Sequence, residues 1–255
     1  MRVLVTFAVE AEFAPWRKLR LFRKSKFVAN ANGQSAEVFD SDVKGNNVQV
    51  FLTGVGRKTC EASVSRYISS GNAKPELVIS SGLAGALQED LKPSDLIVAK
   101  KVRTLRNDAN ADSDQGLVER AVQAGAIAIE TLITAERLVS TAVEKERLSF
   151  FGEVVDMESA FVMSEFLRTS TPCVTIRAIS DSANEDLPVD FDRCLTPQGE
   201  IKAMKLVNEI VRRPGSLPNL VRFGRQSSGA ANSLASFLDR FVAALPAVLE
   251  GVGTR

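Results

Sequence analysis

Leu77-Val78-Ile79-Ser80-Ser81-Gly82-Leu83-Ala84-Gly85 is the stretch on which the reading of the fold turns. Consecutive apolar residues suit a strand covered on both faces, as in parallel sheets, and the glycines that follow are expected to end it. Similar units lie on both sides. Upstream, Val3-Leu4-Val5-Thr6-Phe7-Ala8-Val9 reads as a buried strand, followed over Glu10–Leu19 by a helix or the loop entering one. Residues 48–53 read as a strand that breaks at Gly54-Val55-Gly56. A helix is expected over 57–70, with Ala62, Val64 and Ile68 turned inward. Downstream, 96–102 and 173–180 read as strands, and 154–157 leads into a helix running from Glu158 to about Thr169. Strands alternating with helices predict an α/β fold. The expected architecture is one three-layer domain around a mixed, largely parallel central sheet, with an additional C-terminal helical tail.

The connecting segments are less patterned. Residues 22–47 are polar and read as a hairpin. Residues 103–116 read as a surface loop carrying Asp108, Asp112 and Asp114. The glycine and bidentate glutamate of a calcium loop are misplaced there. Beyond Arg213-Pro214-Gly215-Ser216 the chain becomes basic and amphipathic, and Leu234, Phe237, Leu238, Phe241, Val242 and Leu245 recur at helical spacing. Packing on its own domain is the leading expectation for this stripe, ahead of a dimer contact, with a membrane surface last. The expected division is therefore one domain over 1–213 and a helical extension over 214–255, packed on the domain or in an oligomer interface.

Composition removes whole classes of function. The 255 residues include 32 Lys plus Arg and 31 Asp plus Glu, a net charge of +1. A chain this neutral lacks the basic excess of a nucleic-acid binder, so no nucleic-acid polymer is expected as a partner. Histidine is absent, which excludes Ser-His-Asp and Cys-His machinery and histidine metal sites. Proton chemistry must then run on carboxylates, lysine, cysteine or the single tyrosine, Tyr67. Cys60, Cys173 and Cys194 form no CxxC, which argues against zinc knuckles and disulfide frameworks and for a reducing, cytoplasmic setting. The first apolar run is too short for a membrane span and lacks the pattern of a signal peptide.

In doubly wound folds, ligands bind beyond the carboxyl ends of parallel strands. Carboxylates stand at three such places: Glu10 and Glu12, Asp156 and Glu158, and Asp181. Any one of them could be a charge favoured by a helix N-terminus. Three together, in a chain without histidine, read as an acid–base constellation.

Two of these places carry a resemblance. Val155-Asp156-Met157-Glu158-Ser159-Ala160, followed by Ile176-Arg177-Ala178-Ile179-Ser180-Asp181-Ser182-Ala183, resembles the nucleoside phosphorylase and nucleosidase superfamily. Ala8-Val9-Glu10-Ala11-Glu12-Phe13 is similar to the first loop of the methylthioadenosine/S-adenosylhomocysteine nucleosidases. Gly54-Val55-Gly56-Arg57-Lys58 and Ser81-Gly82-Leu83-Ala84-Gly85 match in order, so the resemblance covers roughly 1–210. It implies cleavage of a purine N-glycosidic bond, with a 5′-modified adenosine as substrate and no cofactor or metal. Asp181 would protonate the departing base, which requires burial to keep a proton on it. Glu12 would orient or deprotonate the attacking water. Glu158 would accept hydrogen bonds from the ribose and stabilise its cationic transition state. Met157 would pack beneath the sugar, and Ser180 would position Asp181. Leu138 and Val139 stand where those nucleosidases usually have an aromatic residue against the base, and Leu83 also departs from their pattern.

The nucleophile divides the readings. Phosphorolysis needs an anion site, for which Gly56, Arg57 and Arg177 are the candidates; Arg177 could equally make a structural salt bridge. The position where many phosphorylases have arginine is Ser80. Water is therefore favoured over inorganic phosphate, with Glu12 as the supporting feature. A second resemblance favours phosphate. Thr141-Ala142-Val143-Glu144-Lys145 and Arg212-Arg213-Pro214-Gly215-Ser216-Leu217-Pro218 look like the hopanoid-associated phosphorylases. That resemblance implies a lipid-linked adenosine as substrate. A noncatalytic nucleoside-binding protein is the alternative from another class. Family habit implies a homo-oligomer, with the dimer favoured.

Overall fold

The computed structural model describes residues 1–28, 35–70, 73–188 and 217–246. Ten strands and six helices are assigned within them. In chain order these are β1 (Arg2–Phe7), α1 (Glu10–Leu19), β2 (Arg23–Val28), β3 (Ser35–Val43), β4 (Asn46–Leu52), α2 (Arg57–Ser69), β5 (Leu77–Ala86) and β6 (Leu96–Thr104). There follow β7 (Ala111–Asp112), α3 (Gln115–Gln123), β8 (Ile127–Thr134), α4 (Ala142–Leu148), β9 (Val154–Asp156), α5 (Ser159–Leu167), β10 (Cys173–Asp181) and α6 (Leu217–Ala244).

The sheet is mixed. Parallel pairings link β4 to β1, β1 to β5 and β5 to β10, and also β6 to β8 and β8 to β9. Antiparallel pairings form the hairpin β2–β3 and join β3–β4, β5–β9, β6–β7 and β6–β10. Because β5 pairs with both β9 and β10, the strands β5, β10, β6, β8 and β9 close on themselves, and β1 to β4 extend outward from β5. The parallel character lies in the middle, as expected; the antiparallel share is larger than the strand–helix alternation suggests.

Residue alternation along the strands separates two cores. Leu4 and Val78 face a cluster with Cys60, Val64 and Tyr67 of α2 and Phe161, Val162, Met163 and Phe166 of α5. Val3, Val5, Leu77 and Ile79 face the other side, against Phe13 and Trp16 of α1, Leu117, Val118 and Ala121 of α3, and α6. These are the three layers.

Several expectations need correction. β5 does not end at Gly82: it runs to Ala86, with Gly82 opposite Arg177 and Gly85 opposite Asp181. On α2 the buried positions are Cys60, Ser63, Val64 and Tyr67, whereas Ala62 and Ile68 are exposed. The helical phase follows Tyr67, whose ring packs on Phe51 and Phe166. The segment 103–116 is partly regular: Asp112 ends β7, and Asp114 caps α3 by accepting from the Leu117 amide at 3.0 Å. β8, α3 and α4 have no counterpart in the sequence reading.

The apolar stripe of the C-terminal segment lies on α6. Leu234, Phe237, Leu238, Phe241, Val242 and Leu245 are all buried against the α1 side of the sheet. Polar pins hold the helix: Trp16 Nε1 donates to Asp239 Oδ1 at 3.1 Å, Arg20 Nη2 to Asp239 Oδ2 at 3.0 Å, and Asn46 Nδ2 to the Val242 carbonyl at 3.0 Å. The boundary expected at 213/214, Cys194 and positions 212–216 of the motif quoted over Arg212–Pro218 lie outside the described residues. No described helix is long and apolar enough to cross a membrane.

Candidate active site

The three strand ends carrying the expected carboxylates converge. Glu12, Glu158 and Asp181 line one cavity of about 530 Å³, together with Leu83, Leu138, Val139, Met157 and Ser180. Ala11, Ala14 and Pro15 of α1 and Phe223, Ser227, Ser228, Ala231 and Asn232 of α6 also line it. Gly56, Arg57 and Arg177 are not among the lining residues.

Glu12 and Glu158 accept from backbone amides at or beside glycines, and Asp181 lies against Gly85. Glu12 sits in the first turn of α1 and reaches back, so that Oε2 accepts from the Ala8 and Val9 amides at 3.0 and 3.3 Å. Its Oε1 accepts from the Leu83 amide at 2.9 Å. With two lone pairs on each oxygen, Oε1 keeps one free for a water molecule in the cavity. A Cβ on Gly82 would lie 2.9 Å from Oε1, in collision with the carboxylate. Glu158 precedes α5, and its Oε1 accepts from the Gly56 amide at 2.9 Å, where φ is +78°. A Cβ on Gly85 would stand 3.0 Å from Oδ2 of Asp181. The two glycine-containing motifs are thus close approaches of main chain to carboxylate, which explains why β5 carries glycines without turning.

Burial raises the Glu12 carboxyl above its ordinary value; the Leu83 amide, the Arg177 charge and the Val9 and Ala8 amides pull the other way. Burial and the negative charge of Asp156 push Glu158 up to about 8, against the opposing pull of the Gly56 amide and of Arg177.

Beneath these groups lies a buried ion pair. Arg177 donates to Asp156 Oδ2 through Nε at 3.0 Å and Nη2 at 2.8 Å, and Nη2 also reaches Ser80 Oγ and Ser159 Oγ. Thr134 Oγ1 donates to Asp156 Oδ1 at 2.7 Å. Asp156 is therefore the counter-ion of Arg177, and of the two carboxylates in Val-Asp-Met-Glu only Glu158 is left to work in the cavity. Arg57 is committed as well, to Glu61, Asp108 and Glu136. The three candidates for an external anion site, Gly56, Arg57 and Arg177, all serve internal carboxylates, Arg177 through the salt bridge left open for it.

Asp181, at the end of β10, is held from two sides. The Ser180 hydroxyl donates to Oδ1 at 2.6 Å, and Lys145 Nζ donates to Oδ2 at 2.6 Å. Lys145 is fully buried on α4. Sequence reading missed it, although it falls in a motif quoted above. Its pairing joins positions 36 apart, which no local pattern shows. The same reading missed the α6 wall, because the tail stripe marks only the face packed on the core.

A family model described as the Phosphorylase superfamily matches residues 2–212. The chain belongs to that superfamily. It is 30% identical over 196 residues to a 5′-methylthioadenosine/S-adenosylhomocysteine nucleosidase of Shewanella loihica, covering 68% of this chain and 84% of the relative. It is 26% identical over 237 residues to the Bacillus subtilis protein of the same name, covering 84% and 99%. Among solved structures, the Helicobacter pylori 5′-methylthioadenosine/S-adenosylhomocysteine nucleosidase with butyl-thio-DADMe-Immucillin-A superposes with a TM-score of 0.71. The identity is 19%, over 96% of this chain and 99% of that one. The futalosine hydrolase of the same organism gives a TM-score of 0.70 at 19% identity, covering 96% and 98%. These structural likenesses carry the fold.

Proposed function

We infer that the protein hydrolyses the N-glycosidic bond of a purine nucleoside, a 5′-modified adenosine, with water as nucleophile. The convergence of Glu12, Glu158 and Asp181 on one cavity carries this reading. Binding alone does not call for three carboxylates converging on one cavity, which counts against a noncatalytic binder. The curated relatives are named for methylthioadenosine and S-adenosylhomocysteine, 5′-substituted adenosines of this class.

The placement of these residues around one cavity supports the following roles. Asp181 faces the base and delivers a proton to it as the bond breaks. Glu158, once ionised, accepts from the ribose hydroxyls and stabilises the cationic sugar, with Met157 beneath it. Glu12 holds the water by its free Oε1 lone pair and takes its proton; a carboxylate of raised basicity suits that task. Leu83, Leu138 and Val139 supply apolar contact to the base. Between α1 and α6, Val9, Ala14, Phe223 and Ala231 make an apolar slot for the 5′ substituent.

Water is favoured over phosphate because Gly56, Arg57 and Arg177 are already engaged by Glu158, by Asp108 and its neighbours, and by Asp156. The slot does suit a lipid-linked adenosine, and phosphorolysis of such a nucleoside is the second reading. The 1–213 unit would supply the carboxylates and the 214–255 extension the slot wall. We place the protein in the cytoplasm as a homo-oligomer, the dimer being favoured: Cys60 and Cys173 are buried free thiols, and Val143, Phe150 and Phe151 leave apolar surface exposed.

Incubation with methylthioadenosine or S-adenosylhomocysteine, with and without inorganic phosphate, tests this. Adenine and a free sugar should form at the same rate in both buffers. A phosphate requirement with a sugar 1-phosphate as product overturns the choice of water. Release of no base from any nucleoside, lipid-linked ones included, overturns catalysis.

A further inference from the structure

Lys145 is the buried cation that the proposed mechanism leaves unused. Its side chain is wholly inaccessible, and its three N–H groups each have an acceptor: Asp181 Oδ2 at 2.6 Å, the Ser182 carbonyl at 2.6 Å and the Glu185 carbonyl at 2.9 Å. An ammonium has three donors, so this shell is complete and fixes Nζ against Oδ2. α4 aims it: Thr141 and Glu144 form a capping box that starts the helix one turn before Lys145. Both members of the Lys145–Asp181 pair are nearly or wholly buried, with Asp181 at the cavity wall and Lys145 behind it. A purine leaves readily only if it gains a proton, and Lys145 Nζ is the N–H donor set directly against the carboxylate that faces the cavity.

We propose that Lys145 is a positioning residue that also supplies, through Asp181, the proton taken by the departing base. The proposal rests on the hydrolytic reading above. As the bond between C1′ and the purine nitrogen breaks, its electron pair moves into the base. A proton passes from Lys145 Nζ to the Asp181 carboxylate, and Asp181 hands one on to the base. The base leaves neutral, Asp181 remains a carboxylate and Lys145 becomes a neutral amine. The water oxygen bonds to C1′ and its proton goes to Glu12. After product release the amine regains a proton and Glu12 loses one, so the cycle closes with no other reactant.

The test compares two leaving groups in wild type, K145M and K145R. One substrate is methylthioadenosine, whose base must be protonated. The other is the corresponding 4-nitrophenyl riboside, whose nitrophenolate leaves without a proton. Wild type should turn over both. In K145M, kcat on methylthioadenosine should fall by about 100-fold or more, the scale of a lost proton transfer, with KM changed little. Turnover of the nitrophenyl riboside should stay within about threefold. K145R keeps the charge and the donors, but a guanidinium does not give up a proton in a protein, so it should show the same selective loss. K145R also reads the contrast if K145M fails to fold. Equal losses on both substrates, or methylthioadenosine turnover retained or restored by arginine, overturns the proposal while leaving the hydrolytic reading standing. A wild type that cleaves neither substrate removes both.

Discussion

Gly82 and Glu12 are fitted to one another: a Cβ on Gly82 would lie 2.9 Å from Glu12 Oε1, and the neighbouring Leu83 amide donates to that same oxygen. The missing side chain is what lets β5 hold the carboxylate. At Gly82 φ is +148°, so any other residue also meets backbone strain. Gly82→Ala should lower kcat/KM by about 100-fold, the cost of displacing a reacting group by roughly 1 Å. Gly85→Ala should act in the same direction through Asp181. Gly125→Ala is the control, because φ there is +104° with nothing within 4 Å of a Cβ. It should cost stability without altering kcat.

Glu12→Gln keeps the shape of the side chain and removes the base. Its kcat should drop by about 100- to 10,000-fold, with substrate binding preserved. Steady-state kinetics on methylthioadenosine, with a binding measurement by calorimetry, would check both halves. Unchanged kcat would remove Glu12 from the reaction.

Glu158 ties activity and stability to pH in opposite senses. The free enzyme must shed the proton held up to about pH 8 before Glu158 can stabilise a cation, so kcat/KM should rise with pH and level off near there. For stability, the unfolded chain ionises this group near 4.5, whereas the folded chain keeps its proton to about 8. Between those values the folded state binds more protons, so its contribution to stability falls as pH rises. E158Q should therefore gain in Tm over wild type from pH 5 to pH 8. A gain that shrinks over that range contradicts the assignment.

Ala231 is buried on α6 and lines the slot proposed for the 5′ substituent. Ala231→Leu should raise KM for methylthioadenosine by about tenfold and leave adenosine less affected, the scale of a few methylenes in an apolar pocket. Equal effects on both nucleosides would move the 5′ group elsewhere.

Leu234, fully buried between α6 and the sheet, tests whether the helix belongs to the core. Leu234→Ala should cost about 2–5 kcal/mol and lower Tm by roughly 5–15 °C. A loss under about 0.5 kcal/mol, the level of an exposed site, would mean that α6 docks weakly.

Most strands and helices were legible because strand and helix periods are local; β8, α3 and α4 were not. Glu10–Leu19 is helical over the expected bounds, and Leu77, Val78 and Ile79 alternate between two cores. The expected carboxylates Glu12, Glu158 and Asp181 meet at one cavity, since a βα unit places the residue after a strand on the same edge of the sheet. Residues whose role depends on a distant partner were harder to read. Arg57 and Arg177 look like anion ligands by type and are committed to internal acids by position. Glycines in β5 look like a turn and are points of close approach.

By itself the sequence determined the layer architecture, the reliance on carboxylates enforced by the lack of histidine, and the superfamily, because each is written in runs of neighbouring residues. Only the tertiary structure decided which acids face the cavity, that Lys145 backs Asp181, and that α6 walls the slot. Those outcomes depend on which buried charges find partners across the fold, and burial makes an unpartnered charge costly enough to select the arrangement.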